Sequence, residues 1–122
     1  GLDLGDNTRG WLAVECVREI EAIVTALGGS AATPYALAGL GDLITTATSA
    51  GSHHHELGRR LARGEAVAIE GEGVHTLKTI HRHRPFDPAP YPLLRLAHDI
   101  LTQPPRTREL MAARLEQVYR DA

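Results

Sequence analysis

A long segment with apolar side chains at helical spacing constrains the fold of this chain more than any other feature. It runs from about Thr8 to Leu27, and its apolar residues recur every three or four positions. Asp6, Asn7 or Thr8 can cap its start, and Gly28-Gly29 supplies the stop. Because its polar stripe is narrow, we expect this helix to be buried on most sides and to offer a partner surface as well. The apolar positions are Trp11, Leu12, Val14, Val17, Ile20, Ile23, Val24 and Leu27.

The remainder of the chain predicts further, shorter helices. Thr33-Pro34 is typical of a helix start, Gly39-Leu40-Gly41 of an interruption, and Ser52 of an N-cap. The segment 85–90 holds three prolines and reads as a rigid linker. The predicted short helices cover 33–37, 42–46 (helix or turn rather than strand), 52–64, 74 to before Arg84, 91–101 and 106–119. Without a period-two pattern, we predict one all-α domain over 1–122, a bundle of about six helices.

Composition excludes several classes of protein. The chain has 122 residues, with 43% hydrophobic and 23% charged residues, as in soluble globular proteins. A net charge of -2 and a pI of about 6.4 argue against a nucleic-acid partner. The apolar runs are too short to span a membrane. The single cysteine, Cys16, excludes an internal disulfide framework, fits core packing and indicates a cytoplasmic location.

The usual motifs of nucleotide and hydrolase chemistry are incomplete in this sequence. Gly39-Leu40-Gly41 lacks the third glycine of a dinucleotide loop, because Ile44 holds that position. The sequence contains no Gly-Lys-Ser/Thr phosphate loop, no Gly-x-Ser-x-Gly and no His-Glu-x-x-His. We therefore do not expect a self-contained nucleotide-dependent enzyme.

Histidines cluster in two places. At the predicted helix start His53-His54-His55, consecutive side chains point roughly 100° apart and do not readily bind one ion, so we expect no metal. An anion-binding role for His53 or His54 and a plain solvated helix start both remain open. His81-Arg82-His83-Arg84 forms the basic end of a later helix.

Four local motifs follow one another along the first 76 residues. They are 5–10 (Gly-Asp-Asn-Thr-Arg-Gly), 38–46 (Ala-Gly-Leu-Gly-Asp-Leu-Ile-Thr-Thr), 52–58 (Ser-His-His-His-Glu-Leu-Gly) and 72–76 (Glu-Gly-Val-His-Thr). Together they resemble the C-terminal substrate domain of NAD(P)-dependent glycerol-3-phosphate dehydrogenase, over residues 1–80. The resemblance implies the all-helical fold of the 6-phosphogluconate dehydrogenase C-terminal-like domain.

The same resemblance implies a two-domain, dimeric enzyme. An N-terminal Rossmann domain would bind NAD or NADP, and the helical domain would hold a phosphorylated substrate. The reaction would interconvert glycerol 3-phosphate and dihydroxyacetone phosphate by hydride transfer. The family's catalytic lysine, in a Lys-Asn pair, would lie before Gly1 together with the Rossmann domain. We therefore expect this fragment alone to be inactive.

Three residues carry over directly to the family's site. Asp42 matches the active-site aspartate near the catalytic lysine and the substrate hydroxyls, although it also fits a plain helix N-cap. Thr46 matches a polar active-site position. Glu72 matches a glutamate near the cofactor, although loop solvation also explains it.

The phosphate-binding positions depart from the family. Where the family has Ser-Arg-Asn, this chain has Ser52, His53 and His54. A neutral imidazole has one N–H donor, whereas the guanidinium of arginine is permanently charged and has paired N–H donors that suit phosphate. The resemblance therefore predicts weaker phosphate binding. A nearby arginine could substitute; the candidates are Arg59, Arg60 and Arg63. Two alternatives stay open: a paralogous dehydrogenase for another hydroxy substrate, and a non-catalytic helical binding or dimerisation module.

Overall fold

The chain is helical throughout the part that the structure describes. The structure is a computed structural model that describes residues 2–121, apart from the side chains of Tyr119 and Asp121. Within that range it contains six α-helices and no strand, which confirms the predicted all-α class. The helices are α1 (Asp6–Ala26), α2 (Asp42–Thr48), α3 (His53–Ala62), α4 (Glu72–His83), α5 (Pro92–Thr102) and α6 (Thr107–Asp121).

The first helix starts earlier than its sequence predicts. Gly5 is the N-cap of α1 and no side chain caps the first turn, so the predicted capping role of Asp6, Asn7 or Thr8 is wrong. Asp6 instead lies in the first turn, where it pairs with Arg9. The predicted stop is confirmed: Gly28 takes a φ of 83°, a conformation that glycine adopts at low cost.

The segment between α1 and α2 differs most from prediction. Thr33–Tyr35 forms a 3-10 turn with Ala32, not Thr33, as its N-cap. Leu37–Gly41 is one π-helical turn that leads directly into α2, so the predicted interruption there is wrong. Close packing explains the glycine at 39, because a Cβ there would lie 2.2 Å from the carbonyl oxygen of Pro34. The preference for helix over strand at 42–46 is confirmed.

The later helices follow the sequence closely. Ser52 is the N-cap of α3, and its side chain accepts a hydrogen bond from the His55 amide at 3.3 Å. The linker 85–90 is irregular, as its prolines predict. Helices α5 and α6 lie within two residues of their predicted bounds.

The core is small and aliphatic. It lies where α1, α3, α4, α5 and α6 meet. Its buried apolar residues are Val17, Leu61, Ala62 and Val74. Helix α5 occupies the centre of this arrangement, because it contacts α1, α4 and α6.

The first helix is not buried on most sides, contrary to the prediction from its apolar arc. Val17 is the buried residue of α1, whereas Val14 and Ile20 are 51% and 39% exposed. Leu37, in the following segment, is 87% exposed. The apolar residues of α1 predict how much apolar surface the helix has but not whether that surface is buried. In this structure much of it is exposed to solvent. Among residues 2–121, no helix combines the length and apolarity needed to cross a bilayer.

Candidate functional site

Helix α2 presents the first pair of predicted site residues. Asp42 is its first residue and is exposed. Gly41 is the N-cap and no side chain caps the helix, so the interpretation of Asp42 as an N-cap is wrong. Thr46 lies four residues later and is half-buried. Positions four apart share one face of a helix, so the carboxylate and the hydroxyl stand on the same side of α2.

The start of α3 carries the second set, Ser52, His53 and His54. The rings of His53 and His54 meet edge to face, with centroids 5.8 Å apart. The His54 ring lies against the chain that leads into α4. A Cβ on Gly71 would lie 3.2 Å from His54 Nε2, and a Cβ on Gly73 would lie 3.4 Å from the same atom. The two glycines therefore let this ring approach the backbone closely.

Two helix N-termini meet at this point. Helix α3 has 10 residues and α4 has 12, and the contact of His54 with Gly71 and Gly73 brings their starts together. The free N–H groups and the helix dipole at each start favour an anion. The carboxylates of Glu56 and Glu72, in the two first turns, oppose an anion. The free backbone N–H groups and the imidazole rings at these helix starts are hydrogen-bond donors of the kind that a phosphate group accepts from.

The arginines that could replace the family's phosphate ligand are engaged elsewhere. Arg60 Nε donates to Glu65 at 2.8 Å, and Arg63 approaches the same carboxylate at 3.3 Å. Arg59 lies 3.6 Å from Glu56. The hydrogen bond from Arg60, supported by Arg63, lowers the pKa of the Glu65 carboxyl. Phosphate binding by these arginines would require them to leave these exposed ion pairs.

His55 connects the two sets of predicted residues. Its ring Nδ1 lies 2.7 Å from the carbonyl oxygen of Ala47, near the end of α2. This contact fixes the first turn of α3 against α2. Within residues 2–121, no hydrogen bond or ion pair joins Asp42 to His53 or His54. Sequence reasoning did not identify His55 and Gly71 as residues of this site. For Gly71, the glycines on both sides of Glu72 could have indicated a close approach to the backbone.

An apolar groove lies beside α2. It has a volume of about 600 Å³. Burial, and next the carboxylate of Glu19, raise the pKa of the Cys16 thiol, so this thiol in the groove stays protonated and is no activated nucleophile. Among residues 2–121, no three histidine, cysteine or acidic side chains converge as metal ligands. The groove is lined by Arg9, Leu12, Ala13, Cys16, Leu43, Ile44, Ala47, Thr48 and His55.

Comparison with known proteins identifies the family of this chain. The model of the NAD-dependent glycerol-3-phosphate dehydrogenase C-terminus matches residues 1–112. The chain belongs to this family. The match reaches well beyond residue 80, where the resemblance of the local motifs ends, and it takes in α5 and part of α6.

Three curated relatives carry the name glycerol-3-phosphate dehydrogenase [NAD(P)+]. The protein of Deinococcus radiodurans is 43% identical over 79 residues, which cover 65% of this chain and 24% of the relative. That of Thermus thermophilus is 47% identical over 75 residues, 61% of this chain and 23% of the relative. The protein of Acaryochloris marina is 35% identical over 108 residues, which cover 83% of this chain and 35% of the relative. The chain thus spans about a quarter to a third of these relatives. No solved structure matches it.

Proposed function

We propose that this chain is the substrate-binding part of an enzyme that interconverts glycerol 3-phosphate and dihydroxyacetone phosphate with NAD or NADP. One observation carries the proposal. In a member of this family, Ser52, His53 and His54 begin one helix against the start of another at Gly71 and Gly73. These hydrogen-bond donors stand at the positions where the resemblance expects the substrate phosphate.

The chain's own residues would bind and orient the substrate. His53 and His54 would donate hydrogen bonds to the phosphate, with the N–H groups of the two helix starts adding to its stabilisation. Asp42 would hold the catalytic lysine of the longer polypeptide charged and oriented, and Thr46 would contact the substrate from the same face of α2. The bound nicotinamide would supply the hydride. Glu72 would lie near that cofactor.

The exposed apolar surface supports two further parts of the proposal. The chain exposes 8008 Å², whereas a monomer of 13.2 kDa typically exposes about 6400 Å². We propose that an N-terminal Rossmann domain, and a second copy in a homodimer, cover part of this excess. A cytoplasmic location is proposed from the single free cysteine.

The experiment is an activity assay of the complete polypeptide that contains residues 1–122. Oxidation of NADH and of NADPH is followed with dihydroxyacetone phosphate and with unphosphorylated dihydroxyacetone. We expect turnover of the phosphate ester, a loss of at least about 100-fold in kcat for Asp42→Asn, and a raised KM for His54→Ala. Glu116→Gln, on an exposed face of α6, is the matched control and keeps full activity.

Other results would favour the alternatives. Activity on the unphosphorylated ketone alone would indicate a paralogous dehydrogenase with a redirected pocket. No activity with either ketone, in a folded polypeptide that binds its cofactor, would overturn the proposal. The exposed apolar residues Val14, Leu37 and Ile44 would then support a non-catalytic binding or dimerisation module.

A further inference from the structure

We propose that a second cleft, between the end of α4 and α5, binds a small organic anion with an apolar body. The cleft has a volume of about 270 Å³. It lies at the C-terminal end of α4, whereas the candidate substrate site lies at the N-terminal end. The 12 residues of α4 place the two about 18 Å apart. The proposal therefore goes beyond the proposed function and does not depend on it.

The walls of this cleft combine apolar and aromatic surface. Leu77 and Ile80 of α4 and Leu94 of α5 supply aliphatic surface. The rings of His81 and His98 stack across the two helices, with centroids 3.5 Å apart and planes inclined by 15°. The side chain of His98 is 24% exposed, so the stack forms one partly covered wall. Such a wall suits a ring or a short hydrocarbon group.

The cleft is lined by two arginines and two aspartates, and the guanidinium donors that would hold an anion are left largely unused. The side chain of Arg84 makes no hydrogen bond or ion pair within residues 2–121, and the side chain of Arg95 makes one long contact, 3.4 Å to the carbonyl oxygen of Ala89. The two acids of the cleft, Asp87 and Asp99, form no ion pair with these arginines. Asp87 accepts from the Ala89 amide at 3.0 Å, and Asp99 lies 3.7 Å from His98 Nδ1. Two guanidinium groups therefore face the cleft without a carboxylate partner, and guanidinium binds phosphate and carboxylate well.

The size of the cleft limits the ligand. Pockets for drug-sized ligands measure roughly 300–1,000 Å³. At about 270 Å³, this cleft accommodates a single ring or short chain that carries one phosphate or carboxylate. Phenyl phosphate matches both features, since its ring fits the apolar wall and its phosphate fits the guanidinium groups.

The test is a titration of the protein with phenyl phosphate, followed by NMR of the histidine ring signals. We expect saturable shifts of the His81 and His98 signals. Arg84→Gln and Arg95→Gln should each weaken this binding about tenfold, since each removes a charge-assisted contact but keeps part of the side-chain stem. Arg82→Gln is the matched control: Arg82 is exposed on the same helix end but does not line the cleft, so its replacement should leave binding unchanged.

Each remaining outcome contradicts the assignment. The absence of saturable shifts at His81 and His98 would overturn it, and so would an equal loss of binding in Arg82→Gln. If inorganic phosphate bound as tightly as phenyl phosphate, the proposed contact between the ring and the apolar wall would be wrong. If phenol bound as tightly, the proposed contact between the phosphate and the guanidinium groups would be wrong. Shifts confined to His53 and His54 would support the proposed substrate site and overturn this one.

Discussion

At the scale of single residues, Gly71 sets the contact between the two helix starts. Its φ of 128° is strained for other residues, and a Cβ would lie 3.2 Å from His54 Nε2. We expect Gly71→Ala to lower the free energy of unfolding by about 1–3 kcal/mol because it adds backbone strain. Urea unfolding measures this change.

The control for Gly71 is another glycine of the same region. Gly58 lies inside α3, and nothing stands within 4 Å of an added Cβ. Alanine is the better helix former there, so Gly58→Ala should raise stability by about 0.5–1 kcal/mol. If both substitutions changed stability in the same direction, the special role of Gly71 would be wrong.

Cys16 gives a second prediction at this scale. Burial and the nearby Glu19 and Glu15 raise the pKa of its thiol, so the fold favours the protonated form. The resulting stabilisation is fully present below the pKa of the unfolded thiol and is lost as the pH rises through the higher folded pKa. Iodoacetamide should therefore modify the folded chain several-fold more slowly at pH 8 than the same chain in guanidinium chloride. Equal rates would contradict a shielded thiol.

At the scale of elements, α5 depends on a cap from a distant helix. The carboxylate of Glu19, on α1, accepts the amides of Leu93 and Leu94 at 2.6 and 3.0 Å, and no side chain of α5 caps its own start. We expect Glu19→Ala to cost about 1–2 kcal/mol of stability and to increase amide exchange in the first turn of α5. Glu15→Ala removes an ion pair between the half-buried Glu15 and the exposed Arg18 but no helix cap, and should cost under about 1 kcal/mol. Similar losses in both variants would contradict the cap.

Elements could be predicted from sequence where local chemistry decides them. Ser52 caps α3 through an amide three residues away, and three prolines within 85–90 exclude a continuous helix there. The cap of α5 could not be predicted, because Glu19 lies 74 residues before Leu93 in the chain. The π-helical turn Leu37–Gly41 was also missed, since its glycines indicate a break until Pro34 is seen to pack against Gly39.

At the scale of the whole molecule, the sequence reported the amount of apolar surface but not what covers it. The apolar arc of α1 is as wide as that of a buried helix. The sequence does not show whether other parts of the fold cover that arc. The candidate site shows the same limit. Asp42 and the histidine cluster could be chosen from motifs, but the approach of His54 to Gly71 depends on how α3 and α4 meet.

The uncovered surface leads to a prediction for the chain in solution. Leu37 is 87% exposed, so replacing it costs little packing within the chain, but it would remove apolar contact with the second copy in the proposed homodimer. Burying a leucine contributes roughly 1.5–3 kcal/mol. In sedimentation equilibrium, Leu37→Glu should therefore weaken self-association of the chain at least about tenfold. Ala112→Glu adds the same charge at an exposed position of α6 and should leave self-association unchanged. A chain that stays monomeric at high concentration would contradict the homodimer through this surface, and would leave the proposed Rossmann domain as its partner.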